Sequence, residues 1–335
     1  MNSRKNTMQR TLKSALVLGI AALFHQGLAT AADAAANYPS RPIRLIVPQN
    51  PGASNDTISR IVSAKMGALL GQQIVVDNRA GAGGTIAGEL AATAAPDGQT
   101  LFATATASQV IGPQIIGKLK YDPAKSFEPI SLIAVTQNIL VVNPKLPVHS
   151  LKELIAYTSA NPGKLNMANA GAGTQSHLAG VLLANAAKLD VVHVPYKGGG
   201  ASVGAVIAGE SQVTITPAPA VMGHIRAGRL RALASGGKKR MALMPELPTL
   251  MESGLPGFFS GGWIGLLAPK GTPKPIIDKL HAALVKAVND PDTAKLMERT
   301  GGDPETDTPA EFAKFIDSEW KNFGNAIRIA KLKAY

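Results

Sequence analysis

Short apolar runs alternate along this chain with stretches whose apolar residues recur every three or four positions. The run Ile43–Val47 is apolar and β-branched, which predicts a strand, and residues 48–52 break it with two prolines and a glycine. Ile58, Ile61, Val62, Met66, Leu69 and Leu70 then fall on one face of a helix that Gly71 ends. The unit repeats. Residues 74–76 form a second strand, the glycine-rich stretch 77–84 leads into a helix that runs to 94, and Pro96-Asp-Gly98 turns the chain into a third strand at 100–104.

A longer extended segment, 130–143, is broken at Asn143-Pro144 and followed by a helix capped by Ser150 with Glu153 in its first turn. A second set of units starts there, with strands at 165–168, 191–194 and 213–215, helices after Gly173 and after Gly200, and a further strand at 230–234. The Pro- and Gly-rich stretch 244–262 reads as a return connection, and 263–268 is extended again. One extended segment leads out and another leads back, which makes a two-stranded hinge. Two amphipathic helices close the chain, one from Pro273 with Ile276, Ile277, Leu280, Leu284 and Val288 on one face, the other with Phe312, Phe315, Ile316 and Trp320. Strands alternating with helices predict an α/β fold of doubly wound parallel sheets. A chain of 335 residues is long enough for two lobes, each with its own core. The expected division is 37–138 plus 263–335 for the first lobe and 139–262 for the second.

Composition adds a compartment and a ligand sign. Residues 1–36 read as a secretory signal: Arg4, Lys5, Arg10 and Lys13 precede an apolar run at 15–24, and small residues follow through Ala36. That run is too short to span a bilayer, and no later stretch approaches the roughly 20 apolar residues a spanning helix needs. A soluble monomer exported to the periplasm, its signal peptide cleaved, is the expectation. The remaining chain carries 30 basic and 21 acidic residues, net +9, which steers anionic ligands toward it. Nucleic acid is not an expected partner, because the basic residues are dispersed and aromatics amount to only 4%. With no cysteine and six histidines at no metal-ligating spacing, neither a metal nor a cofactor is expected.

The candidate chemistry lies in two glycine-rich loops, each between a strand and a helix: Pro48-Gln-Asn-Pro-Gly-Ala-Ser-Asn-Asp56 and Gly171-Ala-Gly-Thr-Gln-Ser-His177. A helix start leaves backbone N–H groups unpaired and carries partial positive charge, so small and hydroxylated residues there let an anion approach the main chain. Glycines that only permit tight turns are the competing reading of either loop alone; two loops placed alike favour binding. Asp56 is read first as a helix cap, with acceptor of a polar ligand group or holder of a water as alternatives. Arg79 is read as a brace of the glycine turn, and Lys197 equally as a structural ion-pair partner or a group facing the cleft. Gly112-Pro-Gln-Ile-Ile-Gly-Lys118 mimics a phosphate loop but continues with Leu119 where a hydroxyl is required. An exported hydrolase or lyase using His177 with Asp56 is the alternative function, although the chain lacks a recognised nucleophile motif.

In order along the chain, Tyr38-Pro-Ser-Arg-Pro-Ile43, Asp77-Asn-Arg-Ala-Gly-Ala-Gly-Gly84, Pro96-Asp-Gly-Gln-Thr-Leu101, Tyr121-Asp-Pro-Ala-Lys-Ser-Phe127, His193-Val-Pro-Tyr-Lys-Gly198 and Trp263-Ile-Gly-Leu-Leu-Ala-Pro-Lys-Gly-Thr-Pro273 resemble the substrate-binding receptors of tripartite tricarboxylate transporters, the Bug family of periplasmic proteins. The resemblance implies two lobes of the type II periplasmic-binding-protein class that close on a small carboxylate and deliver it to separate membrane permease subunits, without covalent chemistry. Carried over by position, the first lobe's ligand residues are Gln49, Asn50, Ser54, Asn55 and Asp56, with Gly83 and Gly84 nearby and Thr104, Thr106 and Ser108 after the third strand. The second lobe supplies Gly171, Gly173, Thr174, Gln175, Ser176 and His177, with Ala218 and Pro219 after a later strand. The first loop departs from the family pattern, since Ala53 and Ser54 stand where glycine is commoner and fill space usually left to the ligand or its waters.

Overall fold

The computed structural model describes residues 37–332, so the segment read as a signal peptide, 1–36, lies outside the described residues. In the first lobe, strand β1 (Ile43–Val47) leads into helix α1 (Ser54–Leu70), β2 (Ile74–Asn78), a 3-10 turn at Ala82–Gly84, α2 (Thr85–Ala92) and β3 (Thr100–Ala105). A π-helical turn, Ala107–Ile111, runs into the short α3 (Gly112–Ile115), so the phosphate-loop mimic is helical in its first half. The long strand β4 (Phe127–Val142) then carries the chain into the second lobe.

There α4 (Leu151–Ala160), β5 (Leu165–Asn169), α5 (Gln175–Ala187), β6 (Val191–Pro195), α6 (Gly199–Ala208), β7 (Val213–Pro217), α7 (Ala218–Arg226) and β8 (Arg231–Ser235) follow. Strand β9 (Gly261–Pro269) returns to the first lobe, which α8 (Lys274–Val288), α9 (Pro291–Arg299), β10 (Asp303–Pro304) and α10 (Pro309–Ile329) complete. The cap expected for α4 is present: Ser150 Oγ accepts the Glu153 N–H at 3.2 Å, and the His149 N–H donates to Glu153 Oε2 at 2.7 Å.

Parallel order holds within β2-β1-β3 and within β6-β5-β7, but both sheets are mixed. The departure has one cause, the two crossing strands. β9 returns against β3, and β4 runs antiparallel to β9 over its first part and to β7 and β8 over Ile139–Val142, so a single strand serves both sheets. Apolar side chains fill the layers on either side of each sheet. Ile43, Leu45 and Val47 pack with Ile58, Val62 and Met66 of α1 and with Leu280 and Leu284 of α8, while Leu140, Val142, Leu165 and Met167 pack with Leu154 of α4 and Leu183 of α5. Among the described residues no helix is long and apolar enough to cross a membrane.

The last helix differs from its expected face. Phe312, Phe323 and Ala326 are buried, Phe315 and Ile316 pack partly, and Trp320 is only half-buried. The place between Phe312 and Phe323 on the buried stripe belongs to Glu319, which is 4% exposed.

Candidate functional site

The first glycine-rich loop leaves β1 at the buried Val47 and enters α1 with Ala53 in the cap position, whose own side chain caps no amide. Gln49 Oε1 accepts the Asn55 N–H at 3.0 Å. The Asn55 side chain, 1% exposed, faces inward: its amide donates to the Ala103 carbonyl at 2.8 Å and its oxygen accepts from Ser59 Oγ at 3.0 Å, pinning the helix to β3. Asp56 is 3% exposed and fully engaged. It accepts the Gly52 N–H at 2.8 Å, Arg60 Nε at 2.9 Å and Asn78 Nδ2 at 2.9 Å, and Asn78 also donates to the Gln49 carbonyl.

Asp56 therefore caps by reaching back from the third helical residue to the turn before it. Burial alone would raise its pKa, but the hydrogen bonds from Arg60, Gly52 and Asn78 and the Arg60 charge outweigh it and hold the carboxyl below the usual range. Asp56 braces the loop. Ser54, in contrast, is exposed at the helix start.

Beside this loop, Gly81, Ala82, Gly83 and Gly84 take positive φ in succession. A Cβ at Gly84 would meet the backbone and side chain of Ser108 and the ring of Pro48, so only glycine lets these three segments touch. Their meeting leaves a cavity of about 400 Å³ whose walls include Gln49, Asn50, Ala53, Gly83, Gly84 and Ser108. Thr104 and Thr106 are buried behind it. Thr104 Oγ1 donates to Gln109 Oε1 at 3.2 Å, and Thr106 Oγ1 accepts the Trp263 N–H at 2.9 Å. Ser108 Oγ accepts the Ala105 N–H at 2.9 Å, and Arg79 braces the turn by donating to Asp77 at 2.9 Å.

The second loop holds itself in shape with its own polar groups. Thr174 Oγ1 donates to the Gly171 carbonyl at 2.7 Å, Ser176 Oγ accepts the Ala170 N–H at 3.0 Å, and Thr174 caps α5 by accepting the His177 N–H. His177 Nδ1 accepts the Gly173 N–H at 3.1 Å, and its ring stands edge-on to His193 at 5.7 Å between centroids. Burial depresses His177, and burial together with His177 depresses His193, so both imidazoles are neutral at pH 7. A neutral ring is what the Gly173 bond requires, because a protonated Nδ1 cannot accept.

The first-lobe cavity does not include the second-lobe residues. Ala218 is buried at the start of α7, and Pro219 is exposed against Gly301 of the first lobe. The lobes meet through Gln175: its side-chain amide lies against Gly262 and Thr136 on the crossing strands, one residue from the Trp263 N–H that Thr106 holds. A Cβ at Gly262 would crowd both Thr136 Oγ1 and Gln175 Nε2, and that Nε2 is buried with no hydrogen-bond partner. Lys197 is exposed and takes part in no ion pair among the described residues.

Two asparagines were not among the expected site residues. Asn78 ends β2 and Asn169 ends β5, each just before a glycine turn. Asn169 Oδ1 accepts the Gly171 N–H at 3.1 Å, while its buried Nδ2 has no partner. An amide residue that closes an apolar strand ahead of a glycine turn is the signal both share. His177 and Asp56 are each committed to their own loop, which removes the acid–base pair that a hydrolase would need.

The fold recurs in known proteins. BugT of Bordetella pertussis is 35% identical over 321 residues, covering 95% of this chain and 98% of its own. Rpa4515 of R. palustris, solved with adipate, superposes with a TM-score of 0.71 at 28% identity, covering 89% of this chain and 100% of that one. MatC of Rhodopseudomonas palustris, solved with bound malate, gives 0.67 at 32% identity, covering 87% and 100%. BugD, another structural neighbour at 31% identity, is a periplasmic binding protein. With residues 58–332 matching the family model described as the tripartite tricarboxylate transporter family receptor, this chain belongs to that receptor family.

Proposed function

We propose that this protein captures a small organic acid between its two lobes in the periplasm, as a monomer, and delivers it to the membrane permease subunits of a tripartite tricarboxylate transporter. The observation that carries the reading is the glycine-built cavity of about 400 Å³ beside the start of α1, walled by main chain and small side chains with no lysine or arginine among the lining residues. Main-chain amides at a helix start suit a carboxylate, and the malate and adipate held by two relatives are of that class.

In this reading Gln49, Asn50, Ser54, Gly83, Gly84 and Ser108 face the solute from the first lobe, 37–138 plus 263–335. Gly171, Gly173, Thr174, Gln175 and Ser176 face it from the second, 139–262, when the lobes close. Asn55, Asp56, Thr104, Thr106 and His177 hold the loops in the shape that binds, and Ala218 and Pro219 flank the second-lobe side. The basic balance of the chain steers the anion in. Residues 1–36 direct export and are removed.

Co-crystallisation with C4 to C6 dicarboxylates tests the reading. It expects a carboxylate within hydrogen-bond distance of the Gly83–Gly84 turn or the α1 start, with the second loop closed over it. Solute density confined to another surface, with these loops empty, would overturn it.

A further inference from the structure

Glu319 lies outside the candidate site and is not used by it. It sits on the buried stripe of α10, 4% exposed, and lines a cavity of about 120 Å³ walled by Ala179 and Leu182 of α5, by Phe259, Ser260 and Gly261 where the chain enters β9, and by Phe323 of α10. The walls come from both lobes, since α5 is the helix that the second glycine loop opens and α10 belongs to the first.

Its hydrogen bonds are two and long. The Trp263 indole N–H donates to Oε2 at 3.3 Å and Asn322 Nδ2 to Oε1 at 3.5 Å. Among the described residues no cation is bonded to it. The charge that acts on it from outside is Lys238, after β8, whose ammonium is paired with Glu305 at 3.4 Å and lies 5.3 Å over the Phe315 ring. The cavity walls on α5 and at 259–261 contribute no titratable group. A carboxylate without a counterion in such a place is costly, whereas a protonated carboxyl is not.

We propose that Glu319 is a proton-binding site coupled to the arrangement of the lobes: packing of α5 against α10 takes up one proton there, and separation of the two helices releases it. With the lobes packed, burial raises Glu319 from its ordinary 4.5 to about 7, against the smaller opposing effects of Asn322, Trp263 and Lys238. Water reaching the cavity on separation returns the group toward its ordinary value. Linkage then fixes the sign: between these two values the packed arrangement binds more protons, so each unit of rising pH weakens it relative to the separated one by up to tenfold. Solute that binds the packed lobes is held less tightly at neutral pH than in acid. This coupling rests on the two-lobed capture proposed above, but its test needs no solute, so the two can fail separately.

The chain has two tryptophans and no cysteine, which provides both probes. The Trp263 indole N–H resonance, followed by ¹H–¹⁵N NMR from pH 5 to 9, is expected to titrate with a midpoint near 7, to be flat in Glu319→Gln, and to move to higher pH in Lys238→Met. Spin labels on Lys118→Cys and Lys164→Cys, one in each lobe, report the interlobe distance distribution by pulsed electron resonance. The packed population is expected to fall as pH rises from about 4.5 to 7 in the parent, to level off above that, and to be independent of pH in Glu319→Gln. A pH response that persists in Glu319→Gln, or its absence in the parent, would overturn the proposal; Lys238→Met keeps the test decisive if the Gln variant folds poorly.

Discussion

Replacing Asp56 with alanine separates a brace from a ligand contact. The carboxylate accepts from three donors, of which the Gly52 N–H and the Arg60 side chain are solvent-exposed and can turn to water, while Asn78 is half-buried. Charge-assisted hydrogen bonds are worth about 1.5–3 kcal/mol where solvent cannot replace them, and the exposed Arg60 pair adds less than about 1 kcal/mol. The loss should therefore be about 2–4 kcal/mol of folding stability, measured by urea unfolding followed by circular dichroism. Solute affinity should fall as well, because residues 49–53 lose their tie to β2 and the cavity wall loosens. Asp56→Asn retains one acceptor and should recover part of both. If Asp56→Ala instead keeps full stability while abolishing binding, the carboxylate contacts the solute directly and the bracing argument is wrong.

Other perturbations act on single features. Gly84→Ala forces a side chain into positive φ and against Ser108 and Pro48, and should cost about 3 kcal/mol by chemical denaturation; a neutral result would show that the turn tolerates a Cβ. His177 is depressed in the folded state, so its contribution to stability is complete above its unfolded value of about 6.5 and is lost as pH falls below it. Thermal melts of His177→Asn, which keeps an acceptor for Gly173, should lose part of that acid sensitivity, and an unchanged pH profile would remove His177 from the account. Glu319 is raised, so its contribution is complete below 4.5 and is lost as pH rises through about 7. At about 1.4 kcal/mol per pH unit, Glu319→Gln should gain about 3 kcal/mol on the parent at pH 8 relative to pH 4.5, which paired urea titrations would detect or exclude.

Periodicity made most elements legible because burial imposes it directly. α8 buries the same Ile276, Ile277, Leu280, Leu284 and Val288 that its spacing marks. What spacing could not express was the partner of each polar residue. Asn55 looks like a loop residue open to a ligand, yet it turns inward, because a contact with Ala103, distant in sequence, decides its direction, and the Asp56 cap, legible at the helix start, is tied to Asn78 by a bond that spacing does not show. The same limit hid Asn169, whose role depends on one amide of the following turn. On α10 the apolar code pointed to Trp320, while the buried place belongs to Glu319, since a carboxyl carries no apolar signal even where an indole N–H and a cavity receive it. The shared strand β4 was visible as one long apolar run, but the pairing that divides it between two sheets is a property of strands far along the chain.

The central claim is that glycine-loop amides bind a carboxylate between the lobes, and calorimetry of matched acids and amides tests it most directly. Malate, adipate and their relatives from C4 to C6 are titrated into the mature protein, followed by the carboxamide of whichever acid binds. The account predicts saturable binding of at least one acid and a loss of a hundredfold or more when its carboxylate becomes an amide, because the loop N–H groups then face a second set of donors. Equal affinity for acid and amide, or binding of none of the acids, would contradict it.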